Sequence, residues 1–152
     1  MTAMEPRVDR NALRFNQCAI VILAVVAFVL GAGAGQWVLL GVAAVMLAGT
    51  AWPPLGLFVQ VYRQVAVRFG LLRPHVVVED PAPHRFAQGM GGTFLLAAFV
   101  ALAAGAGLLG WVLAWMVVAL ALVNILFGFC LGCFIYFQAG RAGFSSRSAG
   151  AR

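Results

Sequence analysis

The run FGFCLGCFIYF at residues 127–137 sets two thiols, Cys130 and Cys133, three residues apart in a stretch without a charge. Such a pair supports three readings. It can exchange electrons or sulfane sulfur with a partner thiol, which requires access from water. It can supply two ligands of a metal site, with Cys18 and His84 the only sensible sources of the other two. Or it can be packing surface, because Gly128 and Gly132 give GFCLG a small face on which a neighbouring helix can sit, with cysteine as a small hydrophobe. On an unbroken helix, residues three apart have Cβ atoms about 5–6 Å apart, whereas a disulfide needs about 3.8 Å. Oxidation therefore demands a local break, for which Gly128, Gly132 or a frayed end are the candidates.

Other chemistry-bearing residues are few. Asn124 is the one strongly polar residue in its apolar stretch, suited to hydrogen-bonding a neighbouring helix or a ligand. His84 and Arg85 sit together in PAPHRFAQG and suit an anionic group or lipid phosphate. Among these residues there is no serine–histidine–acid set, no paired carboxylates and no phosphate-binding glycine loop, so no cofactor is expected. No metal is assigned, since the cysteines alone do not complete a ligand set.

The solvent of this site follows from composition. Hydrophobic residues make up 64% of the 152 and charged residues 9%, far from the roughly one quarter charged of a soluble domain. A chain this short cannot hide so much apolar surface from water, so the lipid bilayer is its expected partner. The basic residues are all arginine, ten against four acids, for a net charge of +6. They fall at 7, 10 and 14, at 63, 68, 73 and 85, and at 141, 147 and 152. These clusters are separated by apolar spans and form no basic face interleaved with aromatics, which excludes nucleic-acid binding.

Four spans are expected, at about 18–35, 37–52, 91–109 and 111–137, the last longer than the ~20 residues needed to cross. GAGAGQW and GAGLLGW carry no charge and suit tight reversals. The fold class is accordingly all-α, an integral membrane four-helix bundle of two helical hairpins, spanning residues 17–138. Residues 54–72 carry a polar stripe of Gln60, Arg63, Gln64 and Arg68 and an apolar body, and are expected to form an amphipathic helix in the interfacial plane. Residues 73–90, rich in proline, are expected to be an extended cytoplasmic loop. Residues 1–16 form a cytoplasmic segment and 139–152 a disordered tail. A secretory signal at the N-terminus is the competing reading of the first apolar run; cleavage there would leave an odd number of spans and break the arginine pattern.

With four crossings, all ten arginines share one side. The positive-inside bias then puts both termini in the cytoplasm of a bacterial inner membrane. Measured down the last span from Trp111, Cys130 is roughly 28 Å along at 1.5 Å per residue, at the cytoplasmic edge, and Cys18 shares that depth. A cytoplasmic dithiol is kept reduced. Near the C-terminal end of an apolar helix, the dipole and the surroundings both push a thiol pKa up.

PHRFAQGMG at 83–91 and FGFCLGCFIY at 127–136 together resemble a bacterial membrane-protein family known as domain of unknown function 4395. The likeness runs from about Asp9 to Phe137. It is sharpest at Arg85, Phe86, Ala87, Cys130, Gly132, Cys133 and Tyr136, with Asp9 and Arg14 fitting less specifically. It implies four spans with a dithiol near the end. Genes of such proteins often neighbour those of thioredoxin-like or rhodanese-like proteins, which implies thiol or sulfur chemistry with a cytoplasmic partner of that type. Members often carry a charged pair late in the second span, where this chain has LAGTAW. The expectation is a multi-pass thiol-redox or sulfur-transfer protein, with Cys130 and Cys133 reacting and His84, Arg85, Cys18 and Asn124 in binding roles. The alternative is a non-enzymatic accessory or assembly bundle, compatible with a homo-oligomer; metal binding by the cysteines is a third reading.

Overall fold

The computed structural model describes residues 7–52, 60–70, 75–79 and 81–147. In chain order these form β1 (Arg7–Asp9), α1 (Arg10–Ala51), a short π-helical segment (Tyr62–Val67), β2 (Val76–Val78), α2 (Ala82–Ala103), α3 (Gly107–Phe127) and α4 (Leu131–Arg147). The fold is all-α apart from one two-stranded ribbon. Three helices, α1, α2 and α3, are long and apolar enough to cross a membrane.

Straight, the 42 residues of α1 would run about 63 Å, twice the thickness of a hydrocarbon core. They do not run straight. Gly31 takes φ 75° and ψ 178°, a left-handed conformation that glycine enters without a Cβ penalty, and the chain folds back on itself. The two arms pack so closely that a Cβ added at Gly35 would overlap the Ala27 backbone carbonyl. This is the first hairpin expected from the sequence, with its break at Gly31, the first residue of the GAGAGQW tract. The second hairpin joins α2 to α3 through Gly105 at φ 83°. There a Cβ on Gly110 would come within 2.5 Å of Leu102 Cγ and 2.9 Å of the Ala98 carbonyl oxygen.

The core is made of small residues between larger anchors. Ala24, Ala27, Ala43, Ala98 and Ala114 let the helices approach, and Leu39 and Leu95 are completely buried between them. Large apolar side chains point outward instead: Val29, Leu108 and Phe127 are each more than three quarters exposed. An inside of alanine with an outside of leucine, valine and phenylalanine suits lipid as solvent, since lipid supplies no hydrophobic drive between helices and packing of small residues must hold them.

The two ends of the bundle are distinct. At one end the rings of Phe28 and Trp111 meet edge-to-face at 5.0 Å, and those of Trp37 and Phe99 lie 5.5 Å apart. At the other end the ribbon closes the structure, with Arg7 opposite Val78 and Asp9 opposite Val76. Asp9 organises this end. Its Oδ1 accepts from the Asn11 and Ala12 N–H groups as the N-cap of α1, and from the His75 N–H at 3.1 Å. The Arg10 N–H donates to the His75 carbonyl at 3.0 Å. Tyr62 is fully buried against Ala12 and Phe15 beside it. Asp9→Ala is expected to cost about 1 kcal/mol through the lost cap and to speed amide exchange at Arg10 and His75. Unchanged exchange at both would show that the carboxylate is not what holds the ribbon.

Several sequence expectations need correction. The last span does not continue from 111 to 137: α3 ends at Phe127, where Gly128 adopts φ 65° and donates its N–H to the Asn124 carbonyl at 2.9 Å. Hydrophobicity is continuous across the break, but a glycine in the left-handed cap position ends a helix regardless. The expected disordered tail at 139–152 is helical as far as Arg147. The expected extended loop at 73–90 contains β2 and the first two turns of α2, since Pro83 sits in the helix's opening turn, where its missing N–H has no intrahelical partner to lose. Of the interfacial helix expected at 54–72, residues 54–59 and 71–72 lie outside the described residues. Residues 60–67 are helical and 68–70 form a turn, with Gln60, Arg63, Gln64 and Arg68 exposed.

Candidate functional site

Because the chain breaks at Gly128, Cys130 is not inside a helix. Leu131 opens α4, so Cys130 is its N-cap residue and Cys133 lies in its first turn. The Cys130 carbonyl accepts the first bond of the helix from the Phe134 N–H at 3.0 Å, and its Sγ accepts the Cys133 N–H at 3.3 Å. The Cys133 N–H, which has no intrahelical acceptor, and the positive end of the helix dipole thus face the Cys130 sulfur. This reverses the expectation of a pair at a helix C-terminus.

α2 brings the third member. His84 lies in its first turn, and its Nδ1 is 3.6 Å from the Cys133 Sγ. The three ligand-type atoms of His84, Cys130 and Cys133 all lie within 4.8 Å of one another, and all three side chains are half-buried. Contact between the helices is tight because residue 132 is glycine: a Cβ there would fall 2.5 Å from the Ala87 Cβ and 2.7 Å from its Cα. Phe86 and Tyr136 stack obliquely beside it at 5.6 Å.

Both cysteines lie beyond the last residue of α3, and their environments differ. Burial pushes the Cys130 thiol up, but bonds from the His84 ring and from the Cys133 side chain and N–H outweigh it and hold the thiol below its ordinary value. Burial pushes Cys133 up, and the neighbouring Cys130 sulfur and the Glu79 carboxylate push it further, to about 12. One sulfur is thereby favoured as thiolate and the other kept as thiol, the asymmetry a dithiol needs if one sulfur attacks and the other follows.

Cys130 lines a cavity of about 100 Å³ between the helices. His84, Cys130, Asn16, Gln17, Gln88 and Asn124 supply its polar lining; Met46, Phe94 and Val117 form part of its apolar wall. Asn124 therefore stands with His84 and the dithiol. Cys18 does not: it is exposed on the outer face of α1, while its neighbours Asn16 and Gln17 face the cavity. Arg85 is also directed elsewhere. Its Nη2 donates to the Thr50 carbonyl at 2.6 Å, and the Thr50 hydroxyl reaches the Arg85 carbonyl at 3.5 Å. That fastens α2 to the C-terminal turn of α1, where a cation suits the helix dipole. Thr50 lies in the LAGTAW segment, so this stretch meets α2 through neutral oxygens. Sequence reading left Asn16 and Gln88 out of the site. The signal for Asn16 was its spacing of four from the buried Ile20, which puts both on one helix face.

Residues 8–141 match the model of the family described as Domain of unknown function (DUF4395). No curated protein and no solved structure matches the chain.

Proposed function

Since the chain belongs to the DUF4395 family, whose description carries no activity, we propose a function from the site itself: a cytoplasm-facing dithiol that exchanges electrons, or sulfane sulfur, with a soluble partner protein. The observation that carries it is the placement of Cys130 as N-cap of α4, with the Cys133 N–H directed at its sulfur. In the redox form, the Cys130 thiolate attacks a partner disulfide and displaces one partner thiolate. Cys133 then gives up its proton and displaces the other, closing the Cys130–Cys133 disulfide. The pair loses two electrons and the partner becomes a dithiol; His84, beside the Cys133 sulfur, accepts its proton. In the sulfur-transfer form, the Cys130 thiolate attacks the outer sulfur of a partner persulfide, the partner's S–S bond breaks and its thiolate leaves, and the sulfur is carried away as the Cys130 persulfide.

The orientation rests on charge. Both reversals, at Gly31 and Gly105, lie at the end without arginine, while Arg10, Arg14, Arg63, Arg68, Arg85 and Arg141 belong to segments at the end that holds the dithiol. Arginine is held on the cytoplasmic side during insertion, so the sulfurs face a reducing compartment rich in thioredoxin-type proteins.

The test is a trapping experiment with a purified thioredoxin-like protein in its disulfide form. Cys133→Ser is expected to accumulate a mixed disulfide through Cys130, and Cys130→Ser to accumulate none. A persulfide-loaded rhodanese-like protein tests the second form, read as a mass gain of one sulfur on Cys130. No adduct with either partner would reject the function. Full complementation of a deletion by Cys130→Ala with Cys133→Ala would favour the accessory-bundle reading.

A further inference from the structure

We propose that His84, Cys130 and Cys133 form a binding site for one thiophilic divalent d10 cation of the zinc class, with its fourth position open toward the cavity. The inference uses the same three side chains as the dithiol reading but none of its electron transfer. Tetrahedral zinc, with bonds of about 2.3 Å to sulfur and about 2.0–2.1 Å to nitrogen, sets a sulfur and a nitrogen ligand about 3.6 Å apart. The Cys133 Sγ and His84 Nδ1 stand at that separation, 3.6 Å. All three donor atoms fall within 4.8 Å of one another. A tetrahedral sulfur–sulfur edge is about 3.8 Å, a closure that side-chain torsion supplies.

The donors come from two elements locked together, His84 on α2 and the cysteines on α4, with Gly132 against Ala87 fixing the distance. Charge selects the ion. Two thiolates and a neutral imidazole cancel a divalent cation, and the nearby Arg10–Glu79 pair, at 3.5 Å, is itself neutral. A monovalent soft ion in the same site would leave an uncompensated negative charge among half-buried side chains, which is costly. Three protein ligands with a free position are the pattern of an exchange or reaction site; a purely structural zinc closes all four. His84 and Cys130 both line the cavity, and the Asn16 and Asn124 amides there can hydrogen-bond whatever fills the fourth position.

The experiment uses the full chain in detergent, stripped with a chelator, reduced and titrated with Co²⁺ as the spectroscopic probe. The expected result is one Co²⁺ per chain, with thiolate-to-metal charge-transfer absorption and the intense d–d bands of four-coordination. The signal is expected to be kept in Cys18→Ser and lost in His84→Ala and Cys130→Ser, with helix content checked in each. In unmodified protein, Zn²⁺ is expected to displace the cobalt and protect both thiols from alkylation. Cobalt bound without a thiolate band, a full signal in His84→Ala, or no protection by Zn²⁺ would overturn the site. If metal fails to bind while Cys130 of the stripped protein still forms the mixed disulfide, only this inference falls. If metal binds while the stripped pair never exchanges with either partner, only the dithiol reading falls.

Discussion

Serine at position 130 is expected to remove nearly all thiol reactivity of the pair at neutral pH, and serine at 133 to leave it in place. In a Cys18→Ser background with metal removed, the alkylation rate should fall about tenfold or more for Cys130→Ser, because the thiolate is the nucleophile. The remaining Cys133 loses the push from the Cys130 sulfur but keeps its burial and the Glu79 carboxylate, both of which raise its thiol and hold it mostly protonated. The pH dependence carries the same sign. Cys130 is held below the ordinary thiol value, so its rate reaches its plateau at a lower pH than a free thiol, whose pKa is about 8.5, and falls as the pH drops through the lowered value. Cys133 alone should still be accelerating above pH 9. Equal rates for the two single variants would mean that the helix start and His84 do not distinguish the sulfurs.

Gly132→Leu is expected to separate α4 from α2 and so take the site apart. Even a methyl at this position meets Ala87 at 2.5 Å, and a leucine has no direction of escape along that face. Overpacking of this kind costs about 1–3 kcal/mol, and here the strain is relieved by moving α4, which carries both cysteines away from His84. The prediction therefore has two readouts: lower thermal stability, and loss of the reactivity difference between Cys130 and Cys133. Gly140→Ala is the control. It lies on the same helix with nothing within 4 Å of the added Cβ, and alanine is the better helix former by up to about 1 kcal/mol. Its effect should be neutral or stabilising. A Gly132→Leu protein with unchanged stability and unchanged thiol asymmetry would mean that α4 does not need α2 to hold the site.

What could be read from the sequence divides along physical lines. The hairpins were legible because apolar length and uncharged glycine tracts are one-dimensional signals, and the arginine clusters mark their ends. The break at Gly128 was not, because LVNILFGFCLGCFIYF is apolar apart from Asn124 and hydropathy has no means of registering a left-handed residue. Gly128 and Gly132 were both candidates for a local break, yet only the chain's path shows that Gly128 ends a helix while Gly132 packs inside the next one. That difference inverted the electrostatics expected for Cys130. His84 was named with Cys18 as a possible further ligand beside the cysteines, but the proline-rich context hid the fact that it starts a helix. Arg85, three residues before Gln88 and adjacent to His84, looked like part of the same site; helical geometry turns it about 100° away, toward Thr50. The ribbon between Arg7–Asp9 and Val76–Val78 had no local signal, since three-residue strands depend on a pairing nearly seventy residues away.

The central claim, a dithiol presented to the cytoplasm at the start of α4, is tested most directly by labelling sealed membrane vesicles of both orientations with a membrane-impermeant maleimide. The Cys18→Ser protein is used, reduced and treated with chelator, and Cys130 is quantified by mass spectrometry. Cys130 is expected to be labelled in inverted vesicles, whose cytoplasmic face is outward, and to be protected in right-side-out ones. Labelling confined to right-side-out vesicles would contradict the orientation, and protection in both would place the sulfurs beyond the reach of any soluble partner.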